Sequence, residues 1–135
     1  MSGMVVKNMS FKAGQTMTII GKPKPDATNF AINVGPNDKD VTMHINPRFN
    51  AHGDENTVVC NSYQEGKWCE EHRGEGGFPF QQGEEFKITI GFTPDQFQIT
   101  LSDGSQILFP NRMGAEKYSF ISIDGDVRIT SFEIK

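Results

Sequence analysis

Short runs of alternating apolar and polar residues recur along the whole chain. Alternation with a period of two is typical of strands that bury one face. Clusters of Gly, Pro, Asn and Asp separate the runs and supply the backbone angles of tight turns. No stretch of a dozen residues keeps a period of 3.6, so we expect minimal helix. The predicted strands are residues 5–9, 16–20, 30–34, 41–45, 57–61, 68–72, 86–92, 97–101, 106–109, 118–123 and 127–134. Many short strands with regular turns predict an all-β antiparallel sandwich or barrel.

The strand predicted at residues 41–45 carries polar groups at every second position. An imidazole, an amide and a guanidinium share one face at His44, Asn46 and Arg48. The apolar residues between them, Val41, Met43 and Ile45, take the opposite face. Proline removes a donor from the sheet ladder, so we expect the strand to end at Pro47. Residues 49–56 then form a loop that carries His52, Gly53 and Asp54.

The following strands continue this pattern. Val59 and Asn61 are two residues apart, with Val58 and Cys60 on the other face. The only tryptophan, Trp68, comes next, followed by Glu71 and Arg73, again two apart.

This set of side chains matches the chemistry of a sugar. A sugar offers a rim of hydroxyl groups, each a donor and an acceptor, and a weakly apolar face of C–H groups. Arg, Asn, His and Glu can bond to hydroxyl groups, and charged partners give the stronger bonds. A tryptophan ring can lie against the C–H face. The spacing alone leaves open an ordinary polar outer face with a stray tryptophan, because antiparallel sheets usually have one polar face.

The same residues form a known family signature. The chain reads H-x-N-P-R at 44–48, H-G-D at 52–54, V-V-x-N at 58–61 and W-x-x-E-x-R at 68–73. This combination, with F-P-F at 78–80 and F-P-N-R at 109–112, resembles the galectins over the whole length. The resemblance implies one carbohydrate-recognition domain over residues 1–135, folded as a galectin-type, concanavalin-like jelly roll of two packed sheets.

The resemblance also implies roles for the residues. His44, Asn46 and Arg48 read the axial 4-hydroxyl group of galactose, Trp68 stacks on its apolar face, and Asn61 and Glu71 reach its 6-hydroxyl group. The next sugar, as in lactose or N-acetyllactosamine, is reached by Arg48, Glu71 and Arg73. Val59 lies on the same face and is counted with the binding residues, whereas His52 and Asp54 are supporting.

Two positions and one spacer depart from the family pattern. Cys69 stands where galectins usually carry Gly after the tryptophan, and Ile45 replaces a common Phe. The spacer Gly74–Gly77 is unusually rich in glycine and is interpreted as a flexible hairpin loop.

Oxidation of a cysteine follows its thiolate character and its exposure. Because Cys69 adjoins Trp68 and Cys60 faces the core, we expect Cys69 to be the redox-sensitive thiol.

Charge and composition limit the classes of binding partner and the cellular compartment that we expect for the protein. The formal net charge is −4 and the 13 basic residues form no run, which argues against nucleic acid. No apolar span is long enough to insert into a membrane. The N-terminus shows no signal peptide and two cysteines are too few for a disulfide scaffold, so synthesis in the cytosol is expected. Export without a signal peptide is implied by the resemblance only.

The same residues allow two alternatives to carbohydrate binding, a hydrolase site and a zinc site. Asp54 and Glu71 could flank a glycosidic bond, as in glycoside hydrolases. An arginine beside each carboxylate would keep it ionised and make it a poor general acid, so we expect no catalysis. The spacing of His44, His52, His72, Cys60 and Cys69 matches no usual zinc pattern. We therefore expect neither a metal nor a cofactor.

The terminal strands suggest self-association. By resemblance, the segments at residues 4–6 and 127–134 lie side by side at the sheet edges, and an exposed edge invites pairing with another chain. We predict a homodimer through Val5, Val6, Ile129 and Ile134 that cross-links and agglutinates. The alternative function is a protein-interaction module on the same fold, with glycan binding weak or lost.

Overall fold

The fold consists of strands in the part of the chain that the computed structural model describes, residues 2–135, with no helix there. The strands are β1 (Ser2–Lys12), β2 (Thr16–Pro23), β3 (Phe30–Gly35), β4 (Val41–Ala51), β5 (Asp54–Gln64), β6 (Lys67–Trp68), β7 (His72–Arg73), β8 (Phe86–Phe92), β9 (Gln96–Thr100), β10 (Gln106–Pro110), β11 (Lys117–Gly125) and β12 (Val127–Ile134). Accordingly, nothing among these residues is a helix that could cross a membrane.

The strands form two antiparallel sheets that pack face to face. The seven-stranded sheet has the order β1-β11-β3-β4-β5-β6, with β7 also paired to β5. The five-stranded sheet has the order β10-β9-β8-β2-β12. One core lies between them, and both sheets contribute fully buried residues such as Ile32, Ile45, Ile88 and Phe97. The predicted all-β antiparallel jelly-roll sandwich is confirmed.

The sequence predicted that strand β4 ends at Pro47, and this prediction is wrong. The strand runs on to Ala51 and pairs with β5 as far as Asp54, so residues 49–56 are two strand ends around a tight His52-Gly53 turn. Both turn residues have positive φ. Proline offers no N–H to the ladder, and the carbonyl group of Phe30 on β3 accepts a hydrogen bond from Nδ2 of Asn46. This side chain replaces a backbone donor and lets the strand continue.

Two bulges set which side chains share the outer face of the seven-stranded sheet. Val41 pairs with Tyr63 and His44 with Asn61, so β4 carries one residue more than β5 in this interval. Val41 therefore lies on the same face as His44, which corrects the predicted position with Met43 and Ile45. The predicted strand at 68–72 is likewise split into β6 and β7, because three residues, 69–71, lie opposite two of β5. The extra residue brings Trp68 and Arg73, an odd number of positions apart, onto one face.

The glycine-rich spacer is not a hairpin loop. It leaves β7 in one sheet and leads, through residues 74–85, to β8 in the other. A Cβ atom on Gly74 would come within 3.0 Å of the Ile107 side chain, so glycine allows this crossing to lie close to β10. Phe80 is buried in the core and Phe78 packs against it, so the F-P-F motif anchors this crossing to the core.

Candidate functional site

A cavity of about 420 Å³ opens on the outer face of the seven-stranded sheet. The fold brings together on its wall all eight side chains that the sequence predicted to bind carbohydrate: His44, Asn46, Arg48, Val59, Asn61, Trp68, Glu71 and Arg73. His52 also lines it. Three further lining residues, Asn29, Ala31 and Asp124, were missed because they come from the neighbouring β3 and β11 side of the sheet.

Trp68 supplies a large apolar surface that the protein itself leaves open. Its side chain is 52% exposed, although tryptophan is usually well buried. His44 tilts against one part of the ring with centroids 4.6 Å apart, and Tyr63 meets it edge-on at 5.0 Å. These contacts fix the orientation of the ring, while its free area faces solvent at the cavity.

Two arginines and two carboxylates form a closed ionic ring beside Trp68. Asp54 Oδ2 accepts from Arg48 Nη1 at 2.7 Å and from Arg73 Nη2 at 2.9 Å. Glu71 lies 2.8 Å from Arg73 and 3.7 Å from Arg48. The hydrogen bonds from Arg73 and then Arg48 hold the pKa of Asp54 below its usual range. The ring therefore keeps Asp54 ionised and fixes both guanidinium groups for outward hydrogen bonds.

Asn46 and Arg48 are unusually buried for polar residues on an outer face, at 3% and 8% exposure. Arg48 Nε donates to Asn46 Oδ1 at 2.8 Å, and Asn46 Nδ2 donates to Asn29 Oδ1 and the Phe30 carbonyl group. Buried polar groups need such partners. The two side chains are consequently held in one arrangement before any ligand arrives.

Arg112 supports the part of the cavity wall that Asn61 forms. The sequence predicted no role for this arginine. Its Nη1 lies 3.0 Å from Ser62 Oγ and 3.3 Å from Asn61 Oδ1, and its Nη2 donates to the Glu70 carbonyl group at 2.8 Å. The guanidinium carbon lies 4.8 Å above the ring of Phe109. Arg112 thereby ties the β6–β7 segment to Asn61. Its position in the F-P-N-R motif was the available signal.

His44 is held from the β3 side. Its Nδ1 atom lies 2.6 Å from Oδ1 of Asn33. Burial, and then the positive charges of Arg48 and His52, lower the pKa of His44 to about 4. The imidazole is therefore neutral over the physiological range. Asn33 was not predicted, although its alternation with the buried Ile32 and Val34 places it on the outer face.

The comparisons with known proteins agree with this geometry. The sequence matches the family described as Galactoside-binding lectin over residues 3–134. A relative named beta-galactoside-binding lectin, from Electrophorus electricus, is 54% identical over 135 residues, covering 100% of this chain and 99% of the relative.

This chain is a galectin.

Solved galectin structures share the fold. The crystal structure of Dario rerio galectin-1-L2 is 57% identical, with a TM-score of 0.95 over 98% of this chain and 99% of that one. Lactose- and MES-liganded congerin II is 36% identical, with a TM-score of 0.93 and 98% coverage of both chains. A homodimeric agglutinin from chicken liver, CG-16, is 38% identical, with a TM-score of 0.92 over 98% of this chain and 99% of that one.

The two cysteines of this galectin lie in different surroundings. Cys60 is fully buried in the core, and burial raises the pKa of its thiol to about 12. Cys69 is half-buried and free, and its carbonyl group accepts a hydrogen bond from Asn61 Nδ2 at 3.0 Å. Cys69 thus adjoins the cavity through its backbone.

The terminal strands of this galectin are the sheet edges that the sequence suggested. β1 is an edge of one sheet and β12 an edge of the other, and the two strands contact each other. A cavity of about 540 Å³, lined by residues 3–4 and 127–132, lies between them. Val5 is exposed, whereas Val6, Ile129 and Ile134 are partly buried against the core.

Proposed function

We propose that this galectin binds β-galactosides such as lactose and N-acetyllactosamine. The observation that carries the proposal is the convergence of all eight signature side chains on one cavity. Two similar proteins support it: the Electrophorus electricus relative, which is named beta-galactoside-binding lectin, and congerin II, whose structure contains lactose.

Each wall of the cavity matches a part of galactose. His44, Asn46 and Arg48 bind the axial 4-hydroxyl group, which distinguishes galactose from glucose. Trp68 stacks on the C–H face of the sugar, and this exposed ring is the apolar surface that a sugar can cover. Asn61 and Glu71 bind the 6-hydroxyl group.

The ionic ring serves the second sugar. Arg48, Glu71 and Arg73 bind the glucose or N-acetylglucosamine residue, and Asp54 and His52 support them. Val59 closes the floor of the cavity. Because every bond to sugar replaces a bond to water, the affinity for lactose is modest, on the order of 10 μM to 1 mM.

Binding is not followed by a reaction. A general acid must hold a proton near neutral pH, whereas the guanidinium groups of Arg73 and Arg48 lower the pKa of Asp54. We infer a lectin that is not an enzyme and that needs no metal or cofactor.

We propose that the protein is a single domain and that it forms a homodimer. Pairing of β1 and β12 with their copies, through Val5, Val6, Ile129 and Ile134, extends both sheets and gives two sugar sites. Two sites allow glycans on separate partners to be cross-linked with added avidity. The homodimeric agglutinin among the similar structures supports this arrangement. Synthesis in the cytosol, followed by export to the outside of the cell, completes the proposal.

Isothermal titration calorimetry with lactose tests the function. We expect saturable heat with lactose and none with cellobiose, whose non-reducing sugar differs from that of lactose only in the orientation of the 4-hydroxyl group. Equal binding of both sugars would refute the role of the 4-hydroxyl group. Absence of lactose binding would leave the alternative of a protein-interaction module.

A further inference from the structure

A row of side chains crosses the seven-stranded sheet and ends at His44. Ser122 on β11 lies directly opposite Asn33 on β3, which lies directly opposite His44 on β4. Asn33 Nδ2 donates to Ser122 Oγ at 3.2 Å, and Asn33 Oδ1 lies 2.6 Å from Nδ1 of His44. Side chains on three neighbouring strands are therefore in contact, and the amide of Asn33 lies between the hydroxyl group of Ser122 and the imidazole of His44.

The amide has a direction, which decides where the imidazole carries its proton. In a neutral imidazole one nitrogen is a donor and the other an acceptor. With Nδ2 of Asn33 directed to Ser122, only the carbonyl oxygen faces His44, and that oxygen can only accept. This orientation of the amide indicates that His44 carries its proton on Nδ1, which leaves a free lone pair on Nε2.

We propose that Asn33, oriented by Ser122, is a positioning residue that holds His44 in the Nδ1–H tautomer, so that Nε2 accepts a hydrogen bond from a galactoside hydroxyl group. The inference rests on the proposed galactoside binding and deepens it. Arg48 can only donate. A hydroxyl group that accepts a hydrogen bond from Arg48 can donate one to Nε2, so the two side chains bind a hydroxyl group both as an acceptor and as a donor. An Nε2–H tautomer would present a second donor instead.

The electrostatics around His44 agree with this role, because the protonated imidazole cannot accept. Burial and the charges of Arg48, on the same strand, and His52, in the β4–β5 turn, lower the pKa of His44. Asp124 on β11 and Glu71 and Arg73 beside β5 line the same cavity. The β3–β4 loop contributes charges to an adjoining cavity that also contains His44: Asp38, Lys39 and Asp40.

Nitrogen NMR of the free full-length protein tests the tautomer without any sugar. Long-range proton–nitrogen correlation on protein labelled with ¹⁵N-histidine distinguishes protonated from unprotonated ring nitrogens, and His44→Gln identifies the His44 signals. We expect Nδ1 of His44 to be protonated and Nε2 to be unprotonated at pH 7. An Nε2–H tautomer would overturn the proposal, even if the protein binds lactose. Failure to bind lactose would instead overturn the proposed function.

Two variants of matched size test the role of Asn33 in binding. Asn33→Asp keeps an acceptor against Nδ1 and should keep lactose affinity at pH 7, whereas Asn33→Leu removes the acceptor and should lower the affinity about tenfold. Equal losses in both variants would contradict the proposal. Ser122→Ala removes the group that orients the amide and should let the Nε2–H tautomer appear in the NMR spectrum. A spectrum unchanged from the wild type would remove Ser122 from the mechanism.

The pH dependence of lactose affinity distinguishes a positioning role of Asn33 from a purely structural one. Lactose affinity should fall as the pH falls through the pKa of His44, because Nε2 then gains a proton. In Asn33→Asp the new carboxylate favours the imidazolium, so the His44 titration and the loss of affinity should move upwards by about one pH unit or more. Asn29→Asp adds the same charge to the binding cavity, which His44 also lines, but not at the atom that contacts Nδ1, and should move the titration less. Equal movement in the two variants would contradict the direct role of Asn33.

Discussion

Trp68 is the residue whose exposure is best explained by a ligand. Its ring contacts His44 and Tyr63, and its remaining surface is exposed to solvent. We expect Trp68→Ala to weaken lactose binding by about 1–3 kcal/mol, because the stacking surface is lost. Trp68→Phe, the control, should retain part of the affinity. Calorimetry gives both values, and unfolding of Trp68→Ala in a thermal melt would show that Trp68 is needed for the fold instead.

The two thiols should differ in reactivity. Cys60 is buried with a pKa raised to about 12, so it offers almost no thiolate near neutral pH, whereas Cys69 is partly exposed. Iodoacetamide labelling followed by peptide mass spectrometry should modify Cys69 first, and lactose should slow that reaction. Alkylation of Cys69 should lower lactose affinity. Equal labelling of the two cysteines, with or without sugar, would be inconsistent with this account.

The sequence predicted the face of most site residues but not their partners. Alternation alone places His44, Asn46 and Arg48 together, because it acts within one strand. Asn33 and Ser122 are 89 positions apart, and no local pattern indicates that their strands are neighbours. Polar partners of this kind depend on the order of strands in the sheet, which the sequence did not reveal without the resemblance.

Strand continuity was harder to predict than strand existence. Pro47 and the odd spacing between Trp68 and Arg73 argue locally against regular strands. In the structure, interactions with neighbouring strands overcome both obstacles. The side chain of Asn46 supplies a hydrogen-bond donor beside Pro47, and the extra residue in 69–71 forms a bulge opposite β5. A bulge is defined by two paired strands, so the pattern of one strand could not predict it.

The β6–β7 segment depends on Arg112 for its position. Arg112→Met keeps much of the apolar stem but removes the hydrogen bonds to Asn61, Ser62 and Glu70. We expect lactose binding to weaken by about 1 kcal/mol, since Glu71 and Asn61 lose their common support. Arg128→Met, on the exposed edge of β12, is the matched control and should bind lactose as the wild type does. Calorimetry showing equal affinities for both variants would exclude this role.

At the scale of the whole molecule, self-association should be separable from sugar binding. Val5 is exposed on the edge strand β1, whereas Ile134 packs against the core, so Val5→Asp is the less disruptive probe. Sedimentation should give twice the 15.1 kDa chain mass for the wild type and the single mass for Val5→Asp. Val5→Thr, the neutral control, should remain a dimer.

Agglutination of red cells provides the functional readout of the same variants. Val5→Asp should lose it while keeping the lactose affinity of the wild type, because one site binds but cannot cross-link. Lactose should reverse agglutination by the wild type. A wild-type protein that sediments as a monomer at tens of micromolar would contradict the proposed dimer.

A crystal structure of the lactose complex tests the central claim most directly. We expect galactose to stack on Trp68, with its 4-hydroxyl group bonded to His44 and Arg48, and the second sugar to lie beside Glu71 and Arg73. The side chains of the ionic ring should keep their present contacts, since they are already arranged. Lactose bound elsewhere, or with its 4-hydroxyl group directed to solvent, would contradict the account.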